Sequence, residues 1–188
     1  MWIPSACYEK AVIRRILTYP DPILKQQASE VPNIDGALVG AIDDMVETMY
    51  DAPGIGLAAP QIGLSHRVIV LDVDQEDKGK HLLKIINPVI AESAGDILWE
   101  EGCLSVIDYT AEVRRAAQVL VRGWTPEGKE IGIEADDLLA VALQHEIDHL
   151  DGTLFLDRLS RLKRDLYKRR LKKLEREGRE PPPRRVMI

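Results

Sequence analysis

Between Asp35 and Tyr50 the apolar residues Leu38, Ile42, Met45, Val46 and Met49 recur three and four positions apart. That spacing predicts one face of a helix, capped by Asp35 and closed by Pro53-Gly54. Upstream, Tyr19-Pro20-Asp21-Pro22 is too rich in proline for a helix and reads as an extended or turning entry. The pattern downstream is different. His66–Val73 and Lys84–Ile90 are rich in Val and Ile, Val113–Trp124 is a longer extended stretch, and Glu130–Ile133 follows the turn residues Pro126-Glu127-Gly128. These runs predict strands. They lie together between two helices instead of alternating with helices, so the expected class is α+β: antiparallel β-sheets packed around a central buried helix, with a C-terminal helix.

That central helix is Asp137–Asp151, DLLAVALQHEIDHLD. Asp136 or Asp137 can cap its start, and Gly152 suits the left-handed position beyond its end. At 100° per residue, Leu138, Val141 and Ala142 fall on the side of His145 and His149, while Leu139, Ala140, Leu143, Ile147 and Leu150 cover the other side. A helix apolar on nearly every face is buried. Its C-terminal half nevertheless carries Gln144, His145, Glu146, Asp148 and His149, and burying such groups is costly unless each is paired or bound. A metal ion resolves the conflict. His145 and His149 stand one turn apart on one face and can converge on one ion, and Glu146, offset by 100°, can reach a water there without being a ligand. A satisfied core without metal is the plain alternative.

A hydrolytic site of this kind needs a third protein ligand and one open position. No histidine follows His149, and the later acids lie in a basic segment or beside the helix end. Upstream, Cys103 in Glu101-Gly102-Cys103-Leu104-Ser105 offers a thiolate, a strong ligand for first-row divalent ions. Another block, Gly54-Ile55-Gly56-Leu57-Ala58-Ala59, fits G-x-G-x-x-A, and Asp72 and Asp74 fall near the acidic position of a dinucleotide site. That fingerprint must follow a strand and open a helix. Here it follows a helical stripe and meets Pro60, which argues against a nucleotide.

Composition sets the frame. A chain of 188 residues with 45% hydrophobic positions suffices for one core. The expected organisation is a loose arm at residues 1–11, one catalytic domain at 12–175 including a basic C-terminal helix, and a disordered tail at 176–188 around Pro181-Pro182-Pro183. Neither an apolar run long enough to span a membrane nor a secretory pattern at the start is visible. Two cysteines, Cys7 and Cys103, far apart in sequence, favour a reducing compartment over a disulfide. A cytoplasmic monomer is expected, with neither membrane nor DNA among its partners. The net charge of −6 conceals an asymmetry: from Arg158 onward lie 13 of the 25 Lys and Arg but 4 of the 31 Asp and Glu, so that segment is +9 and the remainder −15. Such a segment suits a polyanionic partner or a solvated helix equally. Leu159, Leu162 and Leu166 give it a thin apolar stripe.

Three ordered blocks, Gly54–Gln61, Glu101–Ser105 and Gln144–Leu150, together with Tyr19–Pro22 and Gly152–Arg158, resemble the peptide deformylase family over about residues 12–175. One departure is Ile107, where members usually carry proline, and the Asp108-Tyr109-Thr110 loop beside it also varies. The resemblance implies hydrolysis of the formyl group from N-formyl-methionine at the start of nascent polypeptides, with formate released. It implies an ion held by Cys103, His145 and His149, with iron(II) most common and zinc, nickel or cobalt compatible. Glu146 becomes the acid/base, while the Gln61 side chain and the Leu104 backbone N–H become donors to the oxyanion. Gly54, Ile55 and Gly56 become the backbone against which substrate lies. Arg115 is the matching partner for Asp148, with Arg114 its rival, and Glu101 either supports the site or is exposed. In related proteins the C-terminal helix contacts the ribosome, here through Arg161, Lys163, Arg164 and residues 168–173. An internal-bond peptidase and an RNA-binding protein with a structural metal are the competing readings. The first lacks a downstream ligand and the second lacks a fourth.

Overall fold

A computed structural model describes residues 11–74 and 76–177. Most of the expected arm and most of the expected tail lie outside these residues, as does Cys7. The order of elements is α1 (Gly36–Asp51), β1 (Gly56–Ala58), β2 (Val68–Leu71), β3 (Leu83–Ala94), β4 (Ile97–Cys103), β5 (Val106–Arg115), β6 (Gln118–Trp124), β7 (Glu130–Asp136), α2 (Asp137–Leu150) and α3 (Arg161–Glu177). All strand pairs are antiparallel: a five-stranded sheet in the order β1-β2-β3-β6-β7, and the hairpin β4-β5 between β3 and β6. The α+β class expected from the sequence is the one observed.

Two faces of the sheet are covered. Ile69, Leu71, Ile85 and Val121 pack on Ala140, Val141, Leu143, Ile147 and Leu150 of α2. Val68, Val70 and Ile86, pointing the other way, meet Ile42, Met45, Val46 and Met49 of α1. A strand buried on both faces needs an unbroken apolar run, and Val68-Ile69-Val70-Leu71 supplies it. In α1 the Asp35 carboxylate accepts from the Leu38 N–H, the expected cap. Every residue of α2 from Ala140 to Leu150 is buried, as its nearly all-round apolarity requires.

β7 runs into α2 without a loop. Asp136 occupies the capping position without a side-chain bond, and the turn is made at Asp137, whose φ is 44°. Asn87 and Asp108 are the other non-glycine residues at positive φ among the described residues, and Asn and Asp are the types that tolerate it. Beyond α2, Gly152 has φ 68°, and a Cβ there would stand 2.8 Å from the backbone of Lys25. Glycine at this position therefore lets the chain entry pack against the end of the central helix.

The stretch Val113–Trp124 is two strands. Gln144 on α2 takes the N–H of Ala116 on its Oε1 and gives its Nε2 to the Ala116 carbonyl, both at 2.9 Å, fixing the break between β5 and β6. In α3 the docked face is Tyr167 and Leu171, packed with Tyr19, Tyr109 and Phe155. The stripe read from Leu162 and Leu166 faces solvent instead, at 70% and 54% exposure. The helix reaches Glu177, two residues past the expected end of the domain at 175. No helix among the described residues is long and apolar enough to cross a membrane.

Candidate metal centre and active site

Burial of α2 sets the chemistry of its polar half. His145, Glu146 and His149 are all at most 2% exposed. β4 delivers the sulfur to them: a register shift between Glu101 and Cys103, a local irregularity of the kind that re-aims a side chain, precedes the tight turn at Leu104-Ser105. Cys103 is a free thiol. Its Sγ lies 3.2 Å from His149 Nε2, and one ligand atom from each of Cys103, His145 and His149 falls within 4.8 Å of the other two.

The neighbouring groups fix these side chains. Glu101, fully buried, accepts both Nε and Nη2 of Arg115, at 2.6 and 2.9 Å, and its Oε2 lies 2.8 Å from His145 Nδ1. That contact turns His145 Nε2 toward the sulfur, the usual way a carboxylate orients a metal-binding imidazole. Arg115 Nη1 donates to Asp148 at 2.5 Å, and Arg158 grips the same carboxylate with two bonds of 2.5 Å. Arg115 is thus the partner of Asp148, and Arg114 is exposed. Burial pushes Glu101 up, but the hydrogen bonds from Arg115 and His145 outweigh it and bring its pKa down to about 2. Burial likewise raises Glu146, to about 7. In His145 burial favours the neutral ring, yet the Cys103 and Glu101 contacts win and raise its pKa; in His149 burial prevails and lowers it.

Gln61 closes another side. Its Oε1 accepts the Ala58 N–H at 2.8 Å, and its Nε2 reaches Ser105 Oγ at 3.1 Å and Cys103 Sγ at 3.7 Å. Gly54 and Gly56 flank the cluster: a Cβ on Gly54 would strike Leu104 Cδ1 at 2.7 Å, and one on Gly56 would strike Glu146 Oε1 at 2.3 Å. The Gly54–Ala59 block contains β1, which begins only at Gly56, and leads into a single tight turn at Ala59–Ile62, so it does not open an α-helix as a dinucleotide site requires.

Among the described residues three buried side-chain polar atoms have no hydrogen-bond partner: His145 Nε2, His149 Nδ1 and Glu146 Oε2. Unpaired buried polar atoms are rare and ask for a reason. One orphan, His145 Nε2, belongs to the thiol–imidazole cluster, and a divalent ion among Cys103, His145 and His149 would engage it. The same negative surroundings that favour a proton on His145 favour a cation in its place. The residues present fit a metal.

The comparisons agree with the chemistry. A family model described as polypeptide deformylase matches residues 13–165. The chain belongs to this family. It is 57% identical to a peptide deformylase of Syntrophobacter fumaroxidans over 163 residues, covering 87% of this chain and 96% of the relative. With the peptide deformylase of Thermodesulfovibrio yellowstonii it shares 51% over 160 residues, 85% and 97% of the two chains. The crystal structure of a peptide deformylase from Legionella pneumophila superimposes with a TM-score of 0.82 at 46% identity, covering 90% of this chain and all of that one. One from Ehrlichia chaffeensis, in complex with actinonin, gives 0.81 at 40% identity, covering 89% and 99%. The protein is a metal-dependent hydrolase that removes the formyl group from the amino-terminal methionine of nascent peptides.

Reading the sequence missed two members of this site. Arg158 lies in the block Gly152–Arg158, and the buried carboxylate of Asp148 ten residues earlier, with room for a second guanidinium beside Arg115, was the signal for it. Ser105 closes the Glu101–Ser105 block, but nothing in the sequence says that its hydroxyl meets Gln61.

Proposed function

We propose that deformylation by this chain runs on the following division of labour. Cys103, His145 and His149 would hold one divalent ion, which when bound would acidify a water and polarise the formyl oxygen. Glu146 takes a proton from the attacking water as it adds to the formyl carbon, then gives it to the departing amine as the C–N bond breaks, leaving formate and a free amino terminus. The Gln61 Nε2 and the Leu104 N–H donate to the formyl oxygen as it gains charge. Substrate lies extended along Gly54-Ile55-Gly56. β1 is an edge strand, and the side away from β2 has no strand partner among the described residues, which suits strand addition by a peptide. The observation that carries the reading is the unpartnered Glu146 oxygen and His145 nitrogen, buried beside a thiol and a second imidazole.

Formate release from a formyl-methionyl peptide, measured beside cleavage of the acetylated peptide, tests the reading; activity on internal bonds or equal use of both acyl groups contradicts it. Gly56→Ala probes the placement of Glu146. The added methyl forces the carboxylate to move, and a displacement near 1 Å costs on the order of a hundredfold in turnover. A variant that keeps wild-type turnover would show that Glu146 does not act from where it stands.

For the ion we assign iron(II). One thiolate and two imidazoles also accept zinc, nickel or cobalt, so availability and geometry select among them, and elemental analysis of anaerobically purified protein decides. We place the protein in the cytoplasm as a monomer, with residues 12–175 as its single catalytic domain, the arm and tail lying outside it. We further propose that α3 is its ribosome contact. Lys163, Lys168, Arg169 and Lys172 are exposed, whereas Arg164 faces Asp157 and Arg170 binds Asp108. Removing everything after Ser160 would strip buried Tyr167 from the core, so charge substitutions are the cleaner test. Replacing Lys168, Arg169 and Lys172 by Glu is expected to weaken ribosome binding and flatten its dependence on salt, with turnover of free peptide unchanged. Unchanged affinity in a cosedimentation assay contradicts the assignment.

A further inference from the structure

Ser105 is completely buried, and three of its atoms are committed. Its carbonyl accepts the Tyr19 N–H at 2.8 Å, its own N–H points at Cys103 Sγ at 3.4 Å, and its Oγ accepts from Gln61 Nε2 at 3.1 Å. The first two contacts are backbone contacts and hold Ser105 in place whatever its side chain. The third is the hydroxyl's own.

Gln61 can orient its amide in two ways, and the structure distinguishes them. Ala58 N–H donates to one end at 2.8 Å, so that end is the carbonyl oxygen and the NH2 faces Ser105 and Cys103. The group has two hydrogens. One is taken by Ser105 Oγ, and the geometry of a planar NH2 then aims the other toward the sulfur, 3.7 Å away. We propose that Ser105 is a positioning residue for Gln61: by occupying one amide hydrogen it keeps the other on the Cys103 side, facing the thiol–imidazole cluster, where the formyl oxygen takes it over from its long contact with the sulfur as charge develops. This rests on the reading of Gln61 as the oxyanion donor and adds the residue that orients it. A donor fixed in advance needs no reorganisation as charge develops, so the effect falls on kcat more than on KM.

A double-mutant cycle on the cobalt-loaded enzyme tests it, with formate release, the thiolate-to-cobalt absorption band and the thermal midpoint as readouts. Gln61→Ala is expected to lower kcat on the order of a hundredfold. Ser105→Ala is expected to lower it about three- to tenfold, the worth of one neutral hydrogen bond, with KM and the cobalt band unchanged and the midpoint lowered by no more than the loss of one such bond allows. In the Gln61→Ala background Ser105→Ala should cost nothing more. Losses that multiply, a silent Ser105→Ala, or a shifted cobalt band each overturn the positioning role while leaving Gln61 its own. A silent Gln61→Ala removes the donor role itself, and positioning with it. Should Ser105→Ala not fold, Ser105→Cys decides, being close in shape but a weak acceptor: a comparable loss of kcat with the cobalt band unchanged supports the proposal, and wild-type kcat overturns it.

Discussion

Glu146→Ala is expected to keep one metal ion per chain and to lose about 10³–10⁴-fold in formate release, the upper range for one acid/base group. Its side chain is 1% exposed, it follows His145 directly on α2, and its Oε2 has no partner. Burial raises its pKa above that of an ordinary carboxylate, the direction a group needs if it is to return the proton it has taken. The truncation removes a poorly satisfied buried carboxyl, and that relief offsets the lost packing, so stability should change little. Glu146→Gln keeps the shape and removes the base, and should be equally inactive. Substantial turnover in either variant, with metal retained, would move the acid/base elsewhere.

Arg115→Met should be the most destabilising single change at the site. Arg115 ties Glu101 on β4 to Asp148 on α2, so it holds together the two elements that carry the sulfur and the imidazoles. Removing one member of such a buried network leaves the others charged without compensation, at about 3–5 kcal/mol. Glu101, freed from the guanidinium, rises in pKa and loosens its hold on His145, so metal affinity should also fall about 10–100-fold. Arg115→Lys is not expected to restore either property, because one ammonium cannot bind Glu101 through two nitrogens and reach Asp148 as well. Denaturant titration and competition with a chelator measure the two effects. A loss below about 1 kcal/mol would mean that water replaces the guanidinium at little cost.

Much of this site is legible in the chain because it breaks local rules. Asp35 and the stripe Leu38–Met49 obey them and mark α1 nearly to the residue. His145, Glu146 and His149 violate the apolar character of α2, and that conflict by itself points to an ion. β4 is invisible for the opposite reason. Its Glu100-Glu101-Gly102 reads as surface, since nothing local says that Glu101 is buried by Arg115, fourteen positions away in the antiparallel partner. β1 is three residues long with a glycine at its start, too short for any periodicity. In α3 the sequence offers two apolar faces, Leu162-Leu166 and Tyr167-Leu171, and the choice between them is tertiary: the aromatic cluster of Tyr19, Tyr109 and Phe155 accepts Tyr167. Single buried acids and shared aromatic pockets are long-range facts, and periodicity carries only short-range ones.

X-ray absorption at the metal edge of the purified protein reads the coordination directly. A single ion per chain is expected, with one sulfur neighbour at about 2.3 Å and two imidazole nitrogens at about 2.0–2.1 Å if zinc is loaded, and loss of the sulfur shell in Cys103→Ala. A shell of nitrogen and oxygen alone in the active wild-type protein would contradict that expectation.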